Sequence, residues 1–308
     1  MKRSCFASAA FAVVIIPGIM GTSLDRASDG KELWPDIGEM LVSPGDRYLD
    51  ALSFSTSGVP ETAVVPGGVI REELDIPFYG NLVASLWNLG YDESSTLFLA
   101  PYDWRQSVAS SAAAIAGVIS RAAAASPSGK TDVIAHSMGG LVLEAYLAAA
   151  TGTPPIGKAI MVGVPRFGAP EALKILNQGD DLGIGFLGIG LNAGEIKQIA
   201  QNMPGIYDLL PATGSYSGIN QKLLADARAL HASLDAEAFN SAETWSIAGG
   251  RAPTFDGATG DGTVPFANAF IAPDATHAYL IDSAATGIDH AGLVSDPRAI
   301  AVITGILQ

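Results

Sequence analysis

The sequence predicts an α/β fold with a mostly parallel central sheet that is flanked by helices. Six short apolar runs read as buried strands, at residues 13–16, 96–99, 133–135, 159–164, 244–248 and 277–281. Parallel strands are covered on both faces, so they lack polar alternation. Helix-forming segments separate the runs in the first part of the chain, as strand–helix–strand units require. A hydrophobic content of 48% in 308 residues provides a sizeable core.

The composition excludes several kinds of partner. The formal net charge of −14 argues against nucleic acid and against electrostatic attachment to an anionic membrane. Any contact with lipid would therefore have to be apolar. Cys5 is the only cysteine, which excludes disulfides within the chain and cysteine-based metal sites. We predict no cofactor and no metal.

The first residues resemble a signal peptide, with two basic residues ahead of an apolar run. Cleavage after residue 16 would remove the first strand, so we expect an uncleaved start. Apolar runs at residues 9–16 and 182–191 are the longest candidates for a membrane span, and both are shorter than the roughly 20 residues required. We therefore expect no transmembrane helix and a soluble, cytoplasmic protein, with secretion left open.

After the first strand, residues 22–78 are rich in Gly, Pro, Ser and Asp and show no clear periodicity. They predict a cap-like excursion with local hairpins, one of them around residues 66–68. Apolar residues at helical spacing then predict a helix that stops near Gly90. An Ala-rich helix is expected over residues 107–125, and another follows the third strand to about residue 150.

The regular rhythm stops at residues 166–242, which we interpret as a lid and cap insertion. Residues 179–191 are apolar but too glycine-rich for a stable helix, which favours a mobile lid. The alternative is a buried irregular loop, which is less favoured because buried loops leave backbone polar groups without partners. Helical pieces are expected near residues 194–202 and 219–232, and a closing helix over residues 297–307. Residues 1–308 are predicted to form one domain.

The turn after the third strand carries the most informative motif, His136-Ser137-Met138-Gly139-Gly140. A serine at a strand-to-helix corner sits in a strained turn that exposes its hydroxyl. The usual pattern is G-x-S-x-G, and here Ala135 replaces the first glycine. By itself the motif also fits a serine that caps an ordinary helix, so the rest of the chain must decide.

A nucleophilic serine needs an imidazole to accept its proton and a carboxylate to orient that imidazole. In the α/β-hydrolase arrangement these partners follow the serine in the order acid, then histidine. His290 lies after the last strand and before the last helix, as this order requires. Asp261, in the tight turn at residues 260–265, is the candidate acid, and Asp256 is the reserve.

The other three histidines are expected to be structural. His136 adjoins Ser137, so its side chain should diverge from the serine. His231 lies on a predicted helix, and His277 lies within a predicted strand.

Two backbone N–H groups must bind the oxyanion that forms during ester cleavage. The residue after the nucleophile supplies one of them, which nominates Met138. The loop after an early strand supplies the other, and we nominate Ile19 in the sequence Pro17-Gly18-Ile19-Met20-Gly21. The alternative for this loop is an ordinary Pro-Gly turn.

Several of these strings together resemble the lecithin:cholesterol acyltransferase family, which includes lysosomal phospholipase A2 and phospholipid:diacylglycerol acyltransferases. The resemblance lies in IPGIMG at 16–21, LWP at 33–35, APYDWR at 100–105, AHSMG at 135–139 and GDGTV at 260–264. The aromatic-rich PYDWR string is the most specific of them. The matches follow the order of the family over most of the chain.

The resemblance implies an α/β-hydrolase fold with a membrane-contacting cap and a lid over residues 179–201. It implies Ser137, Asp261 and His290 as the catalytic residues and the amides of Ile19 and Met138 as oxyanion donors. It also implies Trp34, Phe186 and Leu187 as substrate contacts, and a structural pairing of Asp103 with Arg105. The chain lacks the cysteines that close the membrane-binding loop of the animal enzymes.

The resulting hypothesis is a serine-dependent lipid acyl hydrolase or O-acyltransferase that acts on phospholipid-like esters, at a membrane or micelle surface. One alternative is a soluble carboxylesterase that acts on small esters with the same three residues. Another, of a different class, is a non-catalytic lipid-binding module on a hydrolase fold. The complete set of Ser137, Asp261 and His290 argues against that module.

Overall fold

The computed structural model describes residues 11–36, 38–39, 44–73, 76–180, 185–186, 189–190, 192–234, 236–269 and 277–308. The basic start of the chain and lid residue Leu187 lie outside these ranges. For Phe186 the description covers the backbone, which pairs with Ile189.

The strands are numbered in chain order: β1 Ala12–Ile16, β2 Thr22–Arg26, β3 Glu32–Trp34, β4 Val64–Val69, β5 Glu72–Glu73, β6 Ile76–Pro77, β7 Leu97–Leu99, β8 Thr131–His136, β9 Ile156–Val162, β10 Gly185–Phe186, β11 Ile189–Gly190, β12 Glu243–Gly250, β13 Ala252–Pro253, β14 Thr259–Gly260 and β15 Ala278–Asp282. The helices are α1 Gly80–Asn88, α2 Val108–Ala125, α3 Met138–Ala149, α4 Pro170–Gln178, α5 Ala193–Ala200, α6 Pro204–Tyr207, α7 Gln221–Ser233, α8 Phe266–Ala269, α9 Ser283–Thr286, α10 Gly292–Ser295 and α11 Pro297–Leu307. Short 3-10 helices cover Pro44–Leu52 and Ala236–Ser241.

Six strands form the central sheet in the order β15-β12-β9-β8-β1-β7, and all neighbours are parallel. Each of the six apolar runs falls on one of these strands, so the predicted α/β-hydrolase sheet is confirmed. All five residues of β1 are buried, which explains the uninterrupted apolar run.

Helices cover both faces of the sheet because side chains alternate between the two faces along each strand. On one face, Val14 and Ile16 belong to a core cluster that includes residues of α2 and α3. On the other face, Val13 and Ile15 belong to a second cluster with residues of α1 and α11. The two clusters fix the sheet between two layers of helices.

Helix α2 is long and apolar enough to cross a bilayer, judged by length and composition alone, and no other described helix is. Ser107 caps its start by accepting a hydrogen bond from the N–H of Ser110. Eight of its side chains are buried, and six of them, including Ile115 and Ile119, belong to the core cluster on this face of the sheet. Burial against the sheet therefore accounts for the apolar face of this helix.

One local prediction was wrong. The hairpin expected around residues 66–68 is part of β4, a single strand that pairs with β2. The hydroxyl of Ser23 accepts a hydrogen bond from the N–H of Gly68 at 2.9 Å, so the partner strand keeps this glycine extended. Helix α4, with a proline in its first turn, lies inside the segment that was assigned to the lid and cap insertion. The division into cap, lid and core remains a prediction.

The strand order places a crevice between the loops that follow the two neighbouring strands β1 and β8. β1 has β7 on one side and β8 on the other, and the later strands β9, β12 and β15 continue outward from β8. In open parallel sheets, ligands bind beyond the carboxyl ends of the strands at such a change of direction. The loops that follow β1 and β8 begin with Pro17 and Ser137.

Candidate active site

Ser137 forms a sharp corner between β8 and α3. Its backbone has φ 52° and ψ −128°, a conformation that L-residues rarely adopt and that a serine holds here under strain. The two following glycines allow the corner to pack. A Cβ on Gly139 would lie 2.4 Å from the carbonyl oxygen of Pro17, and one on Gly140 would lie 2.2 Å from a methyl of Val164. The local sequence therefore fits the corner and not a simple capped helix.

A chain of hydrogen bonds runs from Ser137 to Asp261. The Oγ of Ser137 lies 2.9 Å from Nε2 of His290, and Nδ1 of His290 lies 2.8 Å from Oδ2 of Asp261. The three residues come from separate loops, after β8, after β14 and between α9 and α10. The geometry joins the three residues that the sequence nominated.

The residues around Asp261, here called the Asp261 turn (residues 260–265), aim this carboxylate at His290. Its Oδ1 accepts hydrogen bonds from the N–H groups of Thr263 at 3.0 Å and Val264 at 2.7 Å, which leaves Oδ2 for the imidazole. Asp261 is 1% exposed. The reserve candidate Asp256 instead accepts from the hydroxyl of Thr254 within its own loop. The structure thus brings Asp261, and not Asp256, to His290.

The electrostatics of these hydrogen-bonded residues favour a charged Asp261 and a His290 that can accept a proton. Burial would raise the pKa of Asp261, but attraction to His290 and hydrogen bonds from His290, Val264 and Thr263 lower it below its usual value. Burial would lower the pKa of His290, and the charge and hydrogen bond of Asp261 more than offset this and raise it. With its Nδ1 proton donated to Asp261, a neutral His290 has Nε2 free to accept the proton of Ser137.

Residues 17–21, here called the Pro-Gly loop, form a tight turn beside Ser137. The N–H of Gly21 donates to the carbonyl of Gly18 at 3.1 Å, and Met20 has a positive φ of 62°. The N–H of Gly18 donates to the hydroxyl of Tyr79 at 2.7 Å. Within the described part of the chain, no acceptor takes the N–H of Ile19, which therefore stays available to a bound group. A Cβ on Gly18 would lie 2.9 Å from Cβ of Ser137, which shows how close the loop lies to the serine.

The second nominated donor is the N–H of Met138. It is the first residue of α3, and the first N–H groups of a helix have no acceptor within the helix. The positive end of the helix dipole also lies at this point, which favours negative charge there.

Aromatic side chains from distant parts of the sequence hold the Pro-Gly loop. The indole of Trp34 donates to the carbonyl of Met20 at 3.0 Å, and the hydroxyl of Tyr102 donates to the carbonyl of Pro17 at 2.8 Å. The indole of Trp104 donates to the carbonyl of Thr22 at 3.0 Å. Sequence reasoning singled out the aromatic string at residues 101–105 without finding this role. It missed Tyr79, for which the sequence contained no signal.

Asp103 and Arg105 form the predicted structural pair. Nε of Arg105 lies 2.8 Å from Oδ1 of Asp103, and the guanidinium also donates to the other carboxylate oxygen at 2.9 Å. Arg105 is fully buried and stacks over the ring of Phe54. The pair fixes the turn below the site.

The remaining histidines differ in their surroundings. Nε2 of His231 lies 2.9 Å from the carbonyl of Asp208, and the ring of His277 packs edge-on against Trp245 at 4.6 Å between centroids. The side chain of His136, which was expected to diverge from Ser137, contacts Tyr79 and the backbone of His290. Its Nδ1 lies 2.8 Å from the hydroxyl of Tyr79, and its Nε2 lies 3.2 Å from the backbone oxygen of His290.

A cavity of about 640 Å³ opens over Ser137 and His290. Its lining is mainly apolar, and Trp34 and Ile19 contribute to it. Other apolar lining residues include Leu49, Leu52, Ile196, Ile199, Met203 and Leu209. Among the described residues, no group of three His, Cys, Asp or Glu side chains could hold a metal ion.

A family model and several solved structures match this chain. A model of the family described as lecithin:cholesterol acyltransferase matches residues 72–241, which include Ser137 but not Asp261 or His290. No curated protein matches the sequence. The mature lipase BlEst2 of Bacillus licheniformis shares 15% identity with a TM-score of 0.51, over 97% of this chain and 93% of that chain. The Tle4–Tli4 complex has 16% identity and a TM-score of 0.49, over 77% of this chain and 74% of that chain.

Proposed function

The chain belongs to the lecithin:cholesterol acyltransferase family, and from that premise we propose that it is a serine-dependent acyl hydrolase or O-acyltransferase that acts on phospholipid-like esters. Lipid acyl transfer or hydrolysis in general follows from the family. The serine mechanism, the three residues that perform it and the substrate are our proposal.

The observation that carries the proposal is the hydrogen-bonded chain from Ser137 through His290 to Asp261 at the base of an apolar cavity. A binding module has no need for a strained serine in contact with an imidazole whose other nitrogen is paired with a buried carboxylate. A lined apolar space of about 640 Å³ also suits a long acyl chain better than a small ester.

In the first half of the reaction, Oγ of Ser137 attacks the ester carbonyl while Nε2 of His290 takes its proton. The charge that develops on the carbonyl oxygen is bound by the N–H groups of Ile19 and Met138. One such donor contributes about 3 kcal/mol to the stability of the transition state in comparable enzymes. His290 then protonates the leaving alcohol, and the acyl group stays on Ser137.

In the second half, water or an acceptor alcohol attacks the acyl-enzyme while His290 takes its proton; the bond to Oγ of Ser137 then breaks, and His290 returns the proton to that oxygen. Asp261 stabilises the imidazolium that forms in both halves, in agreement with the raised pKa of His290. The same site performs hydrolysis or transacylation according to which nucleophile reaches the acyl group. We propose that the lid over residues 179–201, with Phe186 and Leu187, contacts the acyl chain and controls this access.

Labelling with a fluorophosphonate probe tests the nucleophile. We expect the probe to modify Ser137 in the folded protein, and Ser137→Ala to abolish both labelling and turnover of phospholipid vesicles. Ser295→Ala is the matched control, since its hydroxyl donates to the carbonyl of Ala291 at the surface of α10. Full phospholipid turnover by Ser137→Ala would contradict the proposal.

Product analysis by mass spectrometry defines the reaction. The enzyme is incubated with mixed phospholipid vesicles and a long-chain alcohol. Free fatty acid alone assigns a hydrolase, whereas a new ester assigns an acyltransferase. Cleavage of short p-nitrophenyl esters without any cleavage of phospholipid would favour the small-ester alternative.

A further inference from the structure

Two buried side chains connect the Pro-Gly loop to His290, and the proposed reaction does not use either of them. Tyr79 is 3% exposed and His136 is 7% exposed. From the Pro-Gly loop, the N–H of Gly18 donates to the hydroxyl of Tyr79 at 2.7 Å. That hydroxyl lies 2.8 Å from Nδ1 of His136, and Nε2 of His136 lies 3.2 Å from the backbone oxygen of His290.

The direction of these bonds follows from the donors and acceptors. Because the oxygen of Tyr79 accepts from Gly18, its own proton is free to donate to Nδ1 of His136. The backbone oxygen of His290 is only an acceptor, so Nε2 of His136 carries the ring proton. His136 is therefore neutral, and burial together with repulsion from His290 lowers its pKa to about 3, which agrees with this assignment.

The two ends of this chain touch groups whose placement matters. Gly18 directly precedes Ile19, so the bond from the N–H of Gly18 fixes the backbone from which the N–H of Ile19 projects. His290 is held through its own backbone oxygen, while Nε2 of its imidazole contacts Oγ of Ser137. The rings of His136 and His290 are also in contact, with centroids 5.0 Å apart.

We propose that Tyr79 and His136 are positioning residues, with Tyr79 aiming the Ile19 N–H at the oxyanion and His136 holding His290 in line with Ser137. This inference rests on the proposed function, because it assigns these two side chains to the same reaction. Both side chains also line the cavity, but the proposal gives neither of them a bond to the reacting atoms. One neutral imidazole thus serves both the oxyanion donor and the general base.

Two substitutions of His136 test the two ends of this chain of hydrogen bonds separately. His136→Asn keeps an acceptor near the position of Nδ1 for Tyr79 but loses the donor to His290. His136→Gln keeps a donor near the position of Nε2 for His290 but loses the acceptor for Tyr79. Tyr79→Phe removes the hydroxyl, and with it the bonds to Gly18 and to Nδ1 of His136, but leaves the bond from His136 to His290. Tyr207→Phe is the matched control, since this buried hydroxyl also accepts a backbone N–H, from Asn220 at 2.8 Å.

The readouts are kcat and KM on a short p-nitrophenyl ester, the pH profile of kcat/KM, the inhibition constant of a trifluoromethyl ketone and Tm. We expect Tyr79→Phe and His136→Gln to lower kcat by about 10- to 100-fold with KM little changed, less than the full loss of one oxyanion donor. Both should weaken binding of the ketone, whose adduct carries an oxyanion, by a similar factor. His136→Asn should keep that affinity and instead move the acid limb of the profile to lower pH, since a looser contact with Asp261 raises the pKa of His290 less.

The pattern distinguishes this inference from the proposed function. If the wild-type protein neither reacts with a fluorophosphonate nor turns over esters, both proposals are wrong. Suppose instead that the wild-type protein is active and that the two His136 variants lose kcat equally, each by an amount that follows its decrease in Tm. Then the positioning roles are wrong and the proposed function stands. A wild-type kcat in Tyr79→Phe would also overturn the inference.

Discussion

The Pro-Gly loop and the Asp261 turn lie at the same edge of the sheet, and different kinds of contact hold them. In the Pro-Gly loop, side chains from elsewhere in the sequence bind the backbone: Tyr79 and Tyr102 bind the two ends of the peptide group between residues 17 and 18, and Trp34 binds the carbonyl of Met20. The Asp261 turn is closed by its own backbone, because Thr263 and Val264 donate to the carboxylate that the turn presents.

This difference predicts different responses to substitution. A turn that is closed by its own residues depends on one carboxylate, so its function should disappear with that group. A loop that several side chains hold should be displaced only partly by each substitution, because the removal of one contact leaves the others in place. The following predictions test that contrast.

The largest effect is expected for Asp261→Asn. The loss of the carboxylate removes the group that raises the pKa of His290 and orients its ring, so kcat should fall by about 10⁴-fold. Since His290 must be unprotonated to act as a base, the acid limb of kcat/KM should also move to lower pH. Steady-state kinetics between pH 4 and 9 measure both changes. Asp256→Asn is the control and should stay near wild type; a greater loss there would transfer the role to Asp256.

A smaller effect is expected for Gly18→Ala in the Pro-Gly loop. The added Cβ would lie 2.9 Å from Cβ of Ser137 and 3.3 Å from Nδ1 of His136, so the loop must move. Displacement of the Ile19 donor should lower kcat by about 10²- to 10³-fold, as loss of one oxyanion donor does. Gly68→Ala is the control, because its Cβ would meet nothing within 4 Å. Equal activity of the two variants would remove Gly18 from the site.

The smallest effect is expected for Trp34→Phe. The change removes the hydrogen bond to the carbonyl of Met20, whose positive φ that bond helps to hold. With Tyr79 and Tyr102 still in place, kcat should fall only about 10-fold, less than the loss of a whole donor. Trp245→Phe, which removes an indole that donates to Glu243 at the surface, should have no effect on kcat. A loss as large as that of Gly18→Ala would mean that a single anchor controls the loop.

The same contrast explains what the sequence could predict. The sheet strands appear as continuous apolar runs because parallel strands are buried on both faces, and all six were found. The Asp261 turn and the serine corner are local structures made by adjacent residues, so their sequences indicate their shapes. His290 was identified from its place after the last strand, which the order of the fold requires.

Contacts between distant residues could not be predicted in this way. Tyr79 and His136 are separated by 57 positions and meet because the start of α1 belongs to the same core cluster as Ile134 of β8. The residues around Gly68 read as a turn, yet they form a strand because Ser23 and the rest of β2 pair with them. For α4 the signals were present, since Pro170 and Glu171 are typical of a helix start, but the irregular segment that follows obscured them.

The close packing of the helix behind Ser137 limits how the motif can diverge over time. Gly139 leaves no room for a Cβ beneath the Pro-Gly loop, and Gly140 leaves none against Val164. Ala135 differs, because its methyl group is part of a core cluster that already has space for it. Sequence drift in this lineage can therefore exchange small residues ahead of the serine, whereas positions 139 and 140 are closed to every side chain.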